Sequence, residues 1–93
     1  VTHVRVAVVG GGISGLTAAY RLRQALGPDA VLTVVELTGR AGGKLRTVEL
    51  AGHAYDVGAE AYLVRRPEVT ALVDELGLAS VHPTTAAARI RAG

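Results

Sequence analysis

At 93 residues and 49% hydrophobic content, the chain has the size and composition of one small globular domain, not of a disordered tail. A net charge of +2 with scattered basic residues leaves no electrostatic footprint for a nucleic acid, and the absence of cysteine removes disulfides, thiolate metal sites and thiol nucleophiles. The apolar run near the start, "VRVAVVGGGI", carries Arg5 and three glycines; it is too short to span a bilayer and lacks a signal-peptide layout.

Val4 to Val9, "VRVAVV", is rich in β-branched residues and bounded by glycine, which predicts a short buried strand. "GGGISG" follows, and then "LTAAYRLRQAL" as a helix. Gly15, Ala19, Leu22 and Leu26 form one stripe that can lie on a sheet, while Arg21 and Arg23 face water. Gly27 to Ala30, "GPDA", ends that helix in a turn. Val31 to Glu36 is the second strand. A strand, a helical crossover and another strand make the right-handed βαβ unit of a parallel sheet, so the fold class is α/β and Rossmann-like. Arg46 to Leu50 and His53 to Val57 flank Ala51-Gly52, which predicts a β-hairpin. "RRPEVTALVDELG" is a second helix with Val69, Leu72, Val73 and Leu76 on one face. Pro67 suits its first turn, Glu68 its positive end and Gly77 its stop.

Gly10, Gly12 and Gly15 have G-x-G-x-x-G spacing, between a strand and a helix. Gly10 permits the sharp turn, Gly12 lets backbone approach a pyrophosphate, and Gly15 lets the helix sit close to the sheet. The helix start offers unpaired N–H groups and a positive dipole end to phosphates. Glu36 closes the next strand, where a carboxylate can accept hydrogen bonds from ribose hydroxyls and would repel a 2′-phosphate. This pattern fits NAD or FAD and argues against NADP. The competing reading is a structural glycine turn followed by a solvated glutamate.

The loop "TGRAGGKLRT" takes the place of the usual second crossover helix. Gly42 and Gly43 admit backbone close to a ligand, and Arg40, Lys44 and Arg46 can supply charge to phosphates. An ordinary solvated basic loop is the alternative. His3, His53 and His82 lack metal-ligand spacing, and Ser14 and Ser80 have no neighbouring base, so neither a metal site nor a catalytic residue is assigned. Tyr20, Tyr55 and Tyr62 are read as packing residues.

Together, the glycine loop, Glu36 and "RAGGKLRT" (Arg40 to Thr47) resemble the glycine loop and R-x-G-G-R/K motif of the flavin amine oxidase superfamily. "YDVGAEAYLVRRPEVTALVDELGL" (Tyr55 to Leu78), with lysine at position 44, is similar to the bacterial porphyrinogen oxidases, in particular the Gram-positive branch acting on coproporphyrinogen III. The resemblance covers essentially the whole chain. It implies FAD as cofactor, with Gly10, Gly11, Gly12, Ile13, Ser14 and Gly15 at the pyrophosphate, and Glu36 and Leu37 at the adenosine ribose. Arg40, Gly42, Gly43 and Lys44 would lie against the cofactor, and Gly58, Ala59, Glu60 and Ala61 near the flavin end. Glu60 is read as a turn residue with its charge in water or paired to Arg65 or Arg66, not as a catalytic base.

The implied reaction is oxygen-dependent oxidation of a small-molecule porphyrinogen in haem synthesis, in the cytoplasm. It involves no nucleic acid and no transmembrane segment, and it leaves room for peripheral membrane contact. Oligomeric state is not legible. Another superfamily enzyme (an amine oxidase or a carotenoid desaturase), a non-catalytic binding protein on the same scaffold and a truncated frame without function are the alternatives. Val1 as first residue and the lack of methionine fit a GC-rich genome in which a valine codon serves as a start, with truncated ends as the alternative. The ending "AAARIRAG", read as a strand cut short, together with the family's layout predicts an N-terminal piece of an FAD-binding domain. Such a piece is expected to bind FAD poorly by itself and to turn nothing over.

Overall fold

The computed structural model describes residues 3–82, which fall into two units, one ending at Glu60 and the other beginning at Ala61. The expected terminal strand at Ala86–Gly93 lies outside the described residues.

In the first unit, β1 (Arg5–Val9) leads into α1 (Ile13–Leu26) and then β2 (Val31–Val35). The two strands pair in parallel with Arg5 opposite Val31 and Val9 opposite Val35. This is the predicted βαβ unit. Alternation places Val6, Val8, Leu32 and Val34 on a half-buried face, and α1 packs against both strands. Ala30 at the entry to β2 is buried. On the other face, which also carries Arg5 and Thr33, Val9 is 84% exposed and Val35 51%, so this sheet surface is uncovered among the described residues. Parallel sheets usually have both faces covered.

Three details of α1 differ from expectation. The helix starts at Ile13, three residues before "LTAAYRLRQAL", because Gly12 serves as its N-cap. Gly15, Ala19 and Leu22 are half-buried as the stripe requires, but Leu26 at the last turn is 40% exposed. Arg23 also does more than face water. Its guanidinium donates to the Gly27 carbonyl at 2.9 Å and the Ala30 carbonyl at 2.7 Å, tying the helix end to the start of β2. A cation is well placed there against the negative end of the helix dipole.

β3 (Thr47–Leu50) and β4 (His53–Asp56) form the predicted antiparallel hairpin. Its turn, Ala51-Gly52, has φ of 51° and 81°, the left-handed pair that a two-residue type I′ connection needs. Alanine is strained there by roughly 1 kcal/mol. The ladder continues past the strand ends, with Val57 N–H donating to Arg46 O at 2.8 Å and Ala59 N–H to Lys44 O at 2.7 Å. Thr47 Oγ1 also donates to Asp56 Oδ1 across the hairpin.

The second unit contains α2 (Pro67–Glu75). Val69, Leu72 and Val73 are half-buried on its inner stripe, with Leu76 at the C-cap 47% exposed. Gly77 stops the helix at φ 70°, its N–H bonded to Asp74 O and that of Leu78 to Val73 O.

Candidate functional site

Gly10 leaves β1 at φ 102°, a left-handed conformation that a side chain would resist, while its N–H still donates to Val35 O at 2.7 Å. The chain therefore turns sharply without losing its last sheet bond. A Cβ at Gly15 would overlap the Gly10 carbonyl oxygen, and it would sit 3.4 Å from Val8 Cγ1. The third glycine is thus dictated by the backbone of the first. Gly12 caps α1 with no side-chain hydrogen bond, and the first helical bond runs from Leu16 N–H to Gly12 O at 3.0 Å. The N–H groups of Ile13, Ser14 and Gly15 consequently have no intrahelical acceptor, and the helix dipole is positive there. Ile13 and Ser14 are both exposed at this start.

Gly11 is buried and works in two directions. Its N–H donates to Glu36 Oε1 at 2.9 Å, and its carbonyl accepts from Gly42 N–H at 2.7 Å. Glu36 lies one residue beyond β2. Its other oxygen, Oε2, accepts from Thr38 N–H at 2.6 Å and from the Thr38 hydroxyl at 2.7 Å. The Thr38 hydroxyl first, then the N–H groups of Gly11 and Thr38, favour the ionised form and hold the carboxyl at about 2, well below its ordinary 4.5. Because the folded value is depressed, the network's contribution is complete above about pH 4.5 and is lost as the pH falls through the folded value. A carbon-13 titration of the Glu36 carboxyl should therefore show its inflection near 2; an inflection at 4.5 would mean that these donors are not engaged.

The glycines of the second loop have structural reasons of their own beside the expected room for a ligand. Gly42 has φ 110° and Gly43 φ 58°, and Leu45 N–H closes a turn on Gly42 O at 3.0 Å. A Cβ at Gly43 would come within 3.0 Å of Gly12 Cα. Gly43 is therefore small because the two glycine loops touch each other. Beside that contact, Arg40, Gly43, Lys44, Arg46, Val57, Gly58 and Ala59 line an open cleft of about 500 Å³. Three cations and no acid face it, so it suits an anion. Gly58 has its own structural reason, since a Cβ there would overlap the Lys44 carbonyl oxygen.

The first unit thus brings together Gly10 to Gly15, Glu36, Arg40, Gly42 to Lys44, and Gly58 with Ala59. Leu37 is fully exposed beside Glu36. Glu60 is exposed at the end of this unit and Ala61 opens the next. Sequence reasoning named Arg46 as a source of charge for phosphates but left Thr38 and Val57 out of the site. Thr38 is signalled only by being a hydroxyl residue two positions after the acid. Arg46 shares a side of the extended chain with Lys44, a period-two signal. Val57 has no signal of its own. Among the described residues no group of His, Asp or Glu converges as a metal site, and no helix is long and apolar enough to cross a membrane.

Residues 8–76 match the model of the NAD(P)-binding Rossmann-like domain. The chain belongs to that family. The chain is also 56% identical over 82 residues to coproporphyrinogen III oxidase of Mycobacterium tuberculosis, a match covering 88% of this chain and 18% of the relative. Among solved structures it is similar to an Exiguobacterium sp. 255-15 protein provisionally named a protoporphyrinogen oxidase, with a TM-score of 0.72, 37% identity, and coverage of 82% of this chain and 17% of the other. A putrescine oxidase bound to putrescine gives a TM-score of 0.68 at 34% identity, covering 82% of this chain and 16% of the other. The expected likeness to bacterial porphyrinogen oxidases is borne out, and the chain spans less than a fifth of the length of these relatives.

Proposed function

We propose that these residues form the N-terminal part of an FAD-binding domain in an enzyme that oxidises coproporphyrinogen III to coproporphyrin III, with oxygen as acceptor, in the cytoplasm. The observation that carries the cofactor assignment is the junction of two loops. A helix start with free N–H groups and a cleft bearing Arg40, Lys44 and Arg46 meet through the Gly42–Gly11 hydrogen bond and the contact of Gly43 with Gly12. That arrangement fits a dinucleotide whose diphosphate lies on the helix start. Glu36 would take the adenosine ribose, with the exposed Leu37 beside it. Gly58 and Ala59, which line the same cleft, would face the flavin end.

When bound, FAD would supply two-electron redox chemistry that no side chain here can perform. The chain's own residues bind and orient. The backbone N–H groups of Ile13 to Gly15 and the three cations neutralise phosphate charge, and Glu36 fixes the nucleotide end through its ionised carboxylate. The 56% identity to a coproporphyrinogen III oxidase supports the substrate assignment.

The test is an assay of the full-length protein against coproporphyrinogen III, protoporphyrinogen IX and putrescine, with the flavin content measured in parallel. Turnover of coproporphyrinogen III by yellow, FAD-containing protein is expected. The likeness to putrescine oxidase favours a second reading, amine oxidation. Turnover of putrescine alone would select it, and colourless protein that takes up no flavin would overturn both.

A further inference from the structure

We infer that Thr38 is a positioning residue for nucleotide recognition: it holds the Glu36 carboxylate so that one oxygen, Oε1, is left to receive a ribose hydroxyl. The inference rests on the reading of Glu36 as the ribose acceptor. An ionised carboxylate offers about four acceptor directions. In this chain the protein fills three of them. Both directions on Oε2 go to Thr38, one to its N–H at 2.6 Å and one to its hydroxyl at 2.7 Å. Oε1 takes the Gly11 N–H at 2.9 Å and keeps its second direction. The ribose is therefore gripped through one carboxylate oxygen, not through a symmetrical fork across two.

The surroundings make this arrangement stiff. Behind the carboxylate stands Gly11, where a Cβ would come within 3.0 Å of Glu36 Cγ. The glutamate side chain is thus packed on the glycine loop on one side and clamped by Thr38 on the other. A glutamate held this way has little rotamer freedom left to lose when a ligand arrives. The Thr38 hydroxyl also lies 3.0 Å from the Arg40 carbonyl, a second acceptor for the same proton. One O–H cannot serve both fully, so its rotation connects the ribose acid to the first cation of the basic loop, Arg40, without moving a heavy atom.

The experiment uses full-length protein, the variants Thr38→Val and Thr38→Ser, and three ligands: FAD and its 2′-deoxyadenosine and 3′-deoxyadenosine forms. Wild type is expected to lose about ten-fold in affinity for one deoxy form and much less for the other. Thr38→Val should bind FAD about ten-fold more weakly and discriminate the deoxy forms by less than about two-fold, whereas Thr38→Ser should behave as wild type. If Thr38→Val weakened all three ligands equally, or left FAD binding and discrimination unchanged, the positioning role would be overturned. Equal penalties for both deoxy forms in wild type would overturn the one-oxygen grip. Wild type that bound all three alike would instead remove the underlying reading of Glu36.

Discussion

Gly15→Ala in the full-length protein is expected to give colourless protein, with FAD affinity reduced by about 100-fold or more. The added methyl has nowhere to go: it would overlap the carbonyl oxygen of Gly10, a backbone atom held in place because the N–H of the same residue is bonded to Val35 O at 2.7 Å. Relief requires α1 to lift from the strand, which moves the N–H groups of Ile13 to Gly15 away from any phosphate they serve. Forced overpacking of this kind costs about 3 kcal/mol at the upper end, which as lost affinity corresponds to somewhat more than 100-fold. Gly39→Ala is the control, because a Cβ there meets nothing within 4 Å. It should change stability by no more than about 0.5 kcal/mol. Flavin absorbance of the purified proteins and reconstitution titrations read both variants. Full occupancy in Gly15→Ala would show that the close approach of helix and turn is dispensable.

Gly43→Val should lower FAD affinity by about 10- to 100-fold while leaving the far-UV circular dichroism unchanged. Two penalties coincide. The residue sits at φ 58°, a conformation that β-branched side chains strongly resist, and its Cβ would stand 3.0 Å from Gly12 Cα. Each is of the order of 1 kcal/mol, and about 2 kcal/mol together corresponds to roughly 30-fold, inside the expected range. The change falls in a loop and not in β1, α1 or β2, so regular structure should persist while the junction beside the basic cleft opens. Gly43→Ala removes the β-branch penalty and should show a smaller loss. Full flavin occupancy in Gly43→Val would withdraw the claim that this loop borders the cofactor.

These variants also mark where sequence reading reaches its limit. The βαβ unit was legible because Val4 to Val9 and Val31 to Val35 are apolar runs of strand length bracketing a helical stripe. The hairpin was legible because Ala51-Gly52 separates two short strands. The reason for Gly15 followed from motif spacing, and the structure gives it an atomic partner in Gly10 O. Gly43 was different. Glycine pairs next to cations suggest room for a ligand, but the neighbour that forbids a side chain is Gly12, thirty-one positions earlier in the sequence. No local pattern encodes that meeting. Thr38 was missed for a related reason. Its two donors reach Glu36 only because the chain turns directly after β2, and threonine at that position has no distinguishing periodicity. Leu26 was placed on the buried stripe by spacing alone, which does not know where the sheet beneath it ends.

The bond from Gly42 N–H to Gly11 O has a practical bearing on protein engineering. It makes the two glycine loops a single mechanical part, assembled from segments thirty residues apart. A transplanted glycine loop from a dinucleotide enzyme would arrive without its counterpart and find the wrong surface at Gly43. Chimeras that exchange residues 10–15 and 40–44 as a set keep the mating surfaces matched, and crossover points for recombination libraries are best placed outside both segments.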